Sequence, residues 1–274
     1  MNQLIIFTDL DGTLLDHDNY SWAAAREAVS ELRARQIPLI LNSSKTAAEI
    51  EQLRDELGNT HPFVVENGGA VYIPRGYFPE MPQNHQPNNM QLLGSDRKEI
   101  LATLQAIKLE KGYQFTSFAE LSAQELATLT GLSLDAAKRA SMRVSSEPLT
   151  WQDSDENLIN FRQTLHSAGL KLLKGGRFYH VMGQTDKATG VSLLIERYRA
   201  FYQTSTLVTV ALGDAPNDQG MLECVDIPVV IKSAKSEPPV VETDQTILYT
   251  DKIGPEGWNQ AILQILKQYD QKGA

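Results

Sequence analysis

The chain has a single cysteine, Cys224. One thiol excludes an intramolecular disulfide and a cysteine-based metal cluster, and it reads as a small apolar residue of the interior. Long apolar runs are missing too. The apolar stretches fall well short of the roughly 20 residues that cross a bilayer, so no membrane span is expected. Met1-Asn2-Gln3 carries no basic side chain, and the apolar run behind it is short. No secretory signal is therefore expected, and a reducing cytoplasm is the expected location. An excess of positive charge is also absent: over 274 residues the formal net charge is −9. That argues against nucleic acid or an anionic membrane as the main partner. It leaves room for a small anionic substrate where cations gather in one pocket. The chain has no glycine-rich loop ending in Lys-Ser/Thr, and so no nucleotide cradle of that kind. Internal repeats and low-complexity tracts are absent as well.

What is present is an ordinary globular composition, 42% hydrophobic and 22% charged, in a chain long enough for two domains. Residues 4–8 read as a buried strand. Trp22, Ala25, Val29 and Leu32 recur at helical spacing behind Ser21, an N-cap residue. Residues 37–41 form a second strand. A helix follows with Ile50, Leu53 and Leu57 on one face, opened by a Thr46/Glu49 capping box and stopped by Gly58. Residues 63–65 form a third strand, and 70–73 continue extended. Strand and helix in alternation predict a parallel sheet with crossover helices. Residues 74–95, with Pro74, Pro79, Pro82 and Pro87, read as a long loop.

Residues from about 96 to 183 break the rhythm. Helical patterns around Ile100, behind a Ser122/Glu125 capping box, over 133–141 and around Phe161 alternate with extended segments near 113–115, 148–151, 172–173 and 178–182. The α/β rhythm then returns, with a helix through Val191 and Tyr198, strands at 207–212, 227–231 and 246–249, and a last helix through Trp258 and Ile265. The expected fold is α/β: a Rossmann-like parallel-sheet core over 1–85 and 184–274, with an inserted α+β domain over 86–183.

The chemistry concentrates where strands end. Asp9 and Asp11 stand two positions apart, so in an extended chain both point the same way. Gly12 lets the chain turn directly after them. Such a pair repels unless a cation, a proton or a shared substrate intervenes. Asp214 and Asp218 follow the strand 207–212, and an open parallel sheet binds ligands beyond the carboxyl ends of its strands. Four carboxylates at one rim form an all-oxygen set suited to Mg²⁺. Taken alone, Asp218 reads as a helix N-cap. Asn42-Ser43-Ser44-Lys45 opens a helix after a strand, which makes either an anion site or simple capping by Ser43, Ser44 or Thr46. Lys187, just inside a helix start, reads either as a solvated lysine or as a cation beside the acids.

Asp9-Leu10-Asp11-Gly12-Thr13, Ser43, Lys187 and Gly213-Asp214-Ala215-Pro216-Asn217-Asp218 resemble, in order and context, the four motifs of the haloacid dehalogenase superfamily of phosphatases. The insertion resembles that superfamily's larger type of cap domain. Asn42-Ser43-Ser44-Lys45-Thr46, Val65-Glu66-Asn67-Gly68-Gly69, Ser146-Glu147-Pro148 and Gly175-Gly176-Arg177-Phe178 are similar, more narrowly, to the mannosyl-3-phosphoglycerate phosphatases. The resemblance implies Asp9 as nucleophile and Asp11 as proton carrier. Mg²⁺ would be held by Asp9, Asp214, the Asp11 carbonyl and Asp218, and phosphoryl oxygens by Ser43 and Lys187. It implies a small phosphorylated sugar acid as substrate, whose carboxylate suits an arginine fork. Arg177 and Arg143 are the arginines expected there, with Ser44 and Asn67 as further substrate-binding residues. His180, Trp151 and Tyr179 read as structural. Two other readings stand beside this one: a phosphatase of another sugar phosphate, and a phospholigand-binding module without catalysis.

Overall fold

The structure is a computed structural model that describes residues 3–79, 88–175, 177–203 and 206–273. In chain order the first part runs β1 Gln3–Thr8, α1 Arg26–Ala34, β2 Leu39–Asn42, α2 Ala47–Leu57, β3 Phe63–Val65, β4 Ala70–Pro74 and β5 Asn88–Leu92. The middle runs α3 Arg97–Lys111, β6 Phe115–Ser117, α4 Ala123–Thr130, α5 Leu134–Ser141, β7 Ser146–Trp151, α6 Asp155–Ser167, β8 Leu170–Lys174 and β9 Tyr179–Gly183. The last part runs α7 Lys187–Tyr202, β10 Leu207–Gly213, α8 Gln219–Glu223, β11 Ile227–Lys232, β12 Leu248–Ile253 and α9 Gly254–Gly273.

The larger sheet has the order β12-β11-β10-β1-β2-β3-β4-β5. It is parallel from β12 through β3, and β4 and β5 add an antiparallel edge. β1 is apolar along its length because both of its faces are covered. Leu4 and Ile6 pack into one core with Leu32, Leu53 and Trp258, while Ile5 and Phe7 pack into another with Leu194, Tyr198 and Met221. Two of the expected helix starts hold: Thr46 and Glu49 form the capping box of α2, with Gly58 closing that helix in the left-handed conformation, and Ser122 and Glu125 form that of α4. Ser21 does not cap α1, whose N-cap is Ala25; its hydroxyl accepts from the Ala23 amide in the turn before the helix. Among the described residues no helix is long and apolar enough to cross a membrane.

Two segments differ from expectation. The stretch read as a loop over 74–95 contains β5, which pairs with β4 and joins the large sheet. Its composition, Asn-Asn-Met-Gln-Leu, hides an edge strand: Asn89 takes a buried position while Met90 and Leu92 stay exposed, so no apolar-in alternation marks it. Pro82, Pro87 and Gly176 lie outside the described residues. The last strand falls later than read, because pairing of Val229 with Leu248 sets its register rather than its own apolar content.

The smaller sheet has the order β6-β7-β9-β8, antiparallel throughout. α3 and α6 cover one face: Ile100, Leu104, Phe161 and Leu165 pack on Phe115, Leu149, Leu172 and Val181. The period-2 alternation of strands then puts Lys171, Leu173, His180 and Met182 on the other face.

Candidate active site

β1 and β10 are neighbours with Thr8 opposite Leu212, and the Asp9 amide donates to the Leu212 carbonyl at 2.9 Å. Asp9 and Asp214 therefore leave adjacent strands at one rim. Strand order runs outward from β1 in both directions, so this is the switch point where such sheets open a crevice. Trp258 Nε1 donates to Thr8 Oγ1 at 3.0 Å, and Thr8 Oγ1 donates to the Asp9 carbonyl at 2.7 Å. Gly12 sits at φ +85°, and a Cβ there would stand 2.6 Å from Asp214 Oδ2. Both facts require glycine. Thr13 Oγ1 donates to Asp214 Oδ1 at 3.0 Å.

Lys187 is the first residue of α7, whose N-cap Asp186 accepts from the Thr189 amide. Its ammonium is fully buried and donates to Asp9 Oδ1 and, at 2.6 Å, to Asp218 Oδ1. Asp218 Oδ2 accepts from the Asp214 and Ala215 amides, each at 3.0 Å. Asp218 makes no side-chain cap on α8; it ties the Asp214 loop back onto Lys187. Burial alone would lower the Lys187 ammonium, but Asp218 and Asp9 outweigh it and hold it well above its ordinary range. Burial raises the Asp9 carboxyl against the pull of Lys187, helped by Asp218 and Asp11. Burial and Asp9 likewise raise Asp214. One lysine does not offset this many acids.

Oxygens of Asp9, Asp214 and Asp218 lie within 4.8 Å of one another. Asp214 Oδ2 and Asp11 Oδ1 are buried without any hydrogen-bond partner. Uncompensated negative charge together with orphaned carboxylate oxygens fits a bound metal cation.

Ser43 is buried just past β2, and its Oγ accepts from the Lys45 amide at 3.3 Å. The Asn67 amide donates to the Ser43 carbonyl at 3.0 Å. Asn67 Oδ1 accepts from Asn217 Nδ2 at 3.2 Å. Glu66 and Asn67, at φ +52° and +54°, are consecutive non-glycine residues in the left-handed region. Strain of this kind persists only where the surroundings fix it. Thus Asp9, Asp11, Ser43, Asn67, Lys187, Asp214 and Asp218 gather on one rim.

The two cap arginines have other partners. Arg143 donates from one nitrogen to Ser146 Oγ at 2.8 Å and to the Ser44 carbonyl at 3.3 Å, and lies 3.9 Å from Glu66 Oε2. It joins the two sheets' loops. Arg177 is exposed; its terminal nitrogens donate to the Thr130 and Leu129 carbonyls at the end of α4, and its guanidinium lies over the Phe178 ring.

A profile of haloacid dehalogenase-like hydrolases matches residues 6–126. A protein of Methanococcoides burtonii, named glucosyl-3-phosphoglycerate/mannosyl-3-phosphoglycerate phosphatase, is 41% identical over 96% of this chain and 97% of its own length. The chain belongs to the haloacid dehalogenase-like hydrolase family. A Persephonella marina protein of the same name is 35% identical, over 97% of this chain and 98% of its own. A solved haloacid dehalogenase-like hydrolase of Bacteroides thetaiotaomicron shares the fold with TM-score 0.65 at 19% identity, covering 97% of this chain and all of its own.

In this haloacid dehalogenase-like hydrolase three contacts escaped the sequence reading. Lys45 Nζ donates to Asp11 Oδ2 at 2.8 Å. Thr13 orients Asp214, as above. Glu66, buried at 1% exposure, accepts from the Val144 amide, the Ser145 amide and Ser146 Oγ at 2.8, 3.0 and 2.6 Å. The signals were there: Lys45 lies inside the stretch read above as an anion site or cap, and Glu66 and Ser146 inside stretches quoted for their resemblance.

Proposed function

We propose that this chain is a Mg²⁺-dependent phosphomonoesterase that hydrolyses mannosyl-3-phosphoglycerate and its glucosyl counterpart. The two relatives named for those substrates, similar over nearly the whole chain, support the choice of ester. The observation that carries the reaction is Asp9 at the end of β1, with the buried Lys187 ammonium on one side of it and the orphaned Asp214 Oδ2 close by.

Asp9 attacks phosphorus and the ester bond breaks, leaving an aspartyl phosphate and an alkoxide. Asp11 gives that alkoxide its proton. Its Oδ1 is the oxygen left for this work, since Oδ2 is held by Lys45. Asp11 then takes a proton from the water that attacks the aspartyl phosphate, which frees phosphate and restores Asp9. Ser43 and Lys187 hold the equatorial phosphoryl oxygens, where charge builds in the transition state. Ser44 and Asn67 border the leaving group. Asp9, Asp214, the Asp11 carbonyl and Asp218, directly or through water, would hold Mg²⁺, which supplies charge neutralisation at the phosphoryl oxygens. Because Asp218 already accepts three hydrogen bonds, its chief part is to position Lys187 and the Asp214 loop. The lone cysteine and the absence of a crossing helix among the described residues are in keeping with a cytoplasmic enzyme.

A panel of phosphomonoesters tests the substrate. The glycosylated phosphoglycerates are expected to exceed simple sugar phosphates in kcat/KM. Equal values across the panel would overturn the choice of ester.

A further inference from the structure

The uncovered face of the smaller sheet meets the rim at a cavity of about 290 Å³. Its wall includes Lys171 and Leu173 of β8, together with Asn67, Lys187 and Asn217 of the core. Lys187 belongs both to this wall and to the Asp9 cluster, so the cavity and that cluster are neighbours across one residue. Among the described residues the Lys171 ammonium has no hydrogen bond and no ion pair. That sets it apart from its neighbours. Lys187 is held by Asp9 and Asp218, Lys45 by Asp11, Arg143 by Ser44 and Ser146, and Arg177 by the end of α4. The acids of the wall are engaged as well. Asp186 caps α7 through Thr189, and Glu223 Oε1 accepts from Gln219 Nε2 and the Glu242 amide. Thr185 Oγ1, in the same wall, is buried at 9% exposure and has no partner. Asn67 and Asn217 use one amide atom each on one another and keep a donor and an acceptor free.

We infer that Lys171 is the specificity-determining cation of this enzyme, binding the carboxylate of the leaving group while the Asn67–Asn217 pair and Thr185 take its hydroxyls. Lys171 is a partly buried residue without a partner, so an anionic group entering the cavity would supply its counter-charge. A glycosylated phosphoglycerate brings one carboxylate and several hydroxyls past the phosphoester bond, matching the one free cation and the free amide and hydroxyl groups of the wall. The inference rests on the reaction and substrate proposed above.

Kinetics on mannosyl-3-phosphoglycerate and an aryl phosphate, for the parent enzyme, Lys171→Gln and Lys171→Arg, test it. In Lys171→Gln the ratio of kcat/KM between the two esters is expected to fall about tenfold or more, mainly through KM, since a charge-assisted hydrogen bond is lost. Lys171→Arg should restore most of that ratio. A ratio within about twofold of the parent in Lys171→Gln, including an equal loss on both esters, would overturn this inference and leave the phosphatase assignment standing. A parent enzyme without preference for the glycerate ester would overturn this inference together with the choice of ester, and leave the phosphatase assignment standing.

Discussion

The rim of the large sheet and the facing surface of the small sheet treat charge in opposite ways. At the rim, polar and ionic groups are tied to one another: the buried Lys187 to Asp9 and Asp218, the partly exposed Lys45 to Asp11, and Thr13 to Asp214. On the small-sheet side, the arginines best suited to grip a ligand are engaged in holding structure, and Lys171 is the cation of the cavity wall left without a partner. The difference teaches where chemistry and choice of substrate reside. A reacting centre needs preorganised charge and builds it from residues next to strand ends. Selection needs a group still lacking its partner, and tertiary packing decides which group that is.

The comparison breaks first at Lys187. Lys187→Met removes the cation proposed to hold the phosphoryl group and leaves two buried acids facing one another. We expect kcat to fall by about 10²–10³, with stability lowered by about 3–5 kcal/mol in urea titrations. Near-parental kcat would show that the rim's buried pairing is structural only. Gly12→Ala comes next. The added Cβ meets Asp214 Oδ2 at 2.6 Å and the backbone stays at φ +85°, so Asp214 must shift. Displacing a reacting group by this much costs on the order of 10² in kcat/KM, on every ester alike.

Glu66→Gln sharpens the contrast from the other side. The carboxylate accepts from two amides and one hydroxyl. A glutamine sets an NH₂ donor against one of those donors. Thermal melts should show a loss of about 1.5–3 kcal/mol, with kcat/KM falling on glycerate and aryl esters in the same proportion. A selective loss on the glycerate ester would shift specificity from Lys171 to the Glu66–Arg143 junction.

The smallest effect is one of pH. Burial, then Arg143, holds His180 down at about 3 against an ordinary 6.5. The unfolded chain therefore takes up a proton near pH 6.5 that the folded protein refuses. His180's contribution to stability falls as pH drops below about 6.5 and levels off only near the folded value; His61, held by burial at about 4, adds to it, and Asp9 and Asp214, raised by burial, act against it. His180→Gln should flatten that slope; an unchanged slope would remove His180 as its source.

The rim was legible in the sequence because its residues lie against strand ends. Asp9 follows β1, Ser43 follows β2 and Asp214 follows β10, and the parallel sheet aligns those ends without further information. Helices were legible through their caps, as at Thr46 and Ser122. Less was readable where a residue's role depends on a distant partner. Arg177 after two glycines looked free for a ligand, yet α4, nearly fifty residues earlier in the chain, presents it with carbonyls. Lys171 drew no reading, because a missing partner leaves no mark in sequence. Glu66 binds Ser146 across 80 residues. Strand β5 escaped because an edge strand carries little apolar signal.

The central claim is that Asp9 performs the chemistry whichever ester the small sheet admits. Asp9→Asn keeps the side chain's shape and removes its nucleophilic charge. Steady-state turnover of mannosyl-3-phosphoglycerate and of an aryl phosphate, with circular dichroism of both proteins, measures it directly. The account predicts a loss of more than about 10⁴ in kcat on both esters with unchanged secondary structure. Turnover within tenfold of the parent on either ester would contradict it.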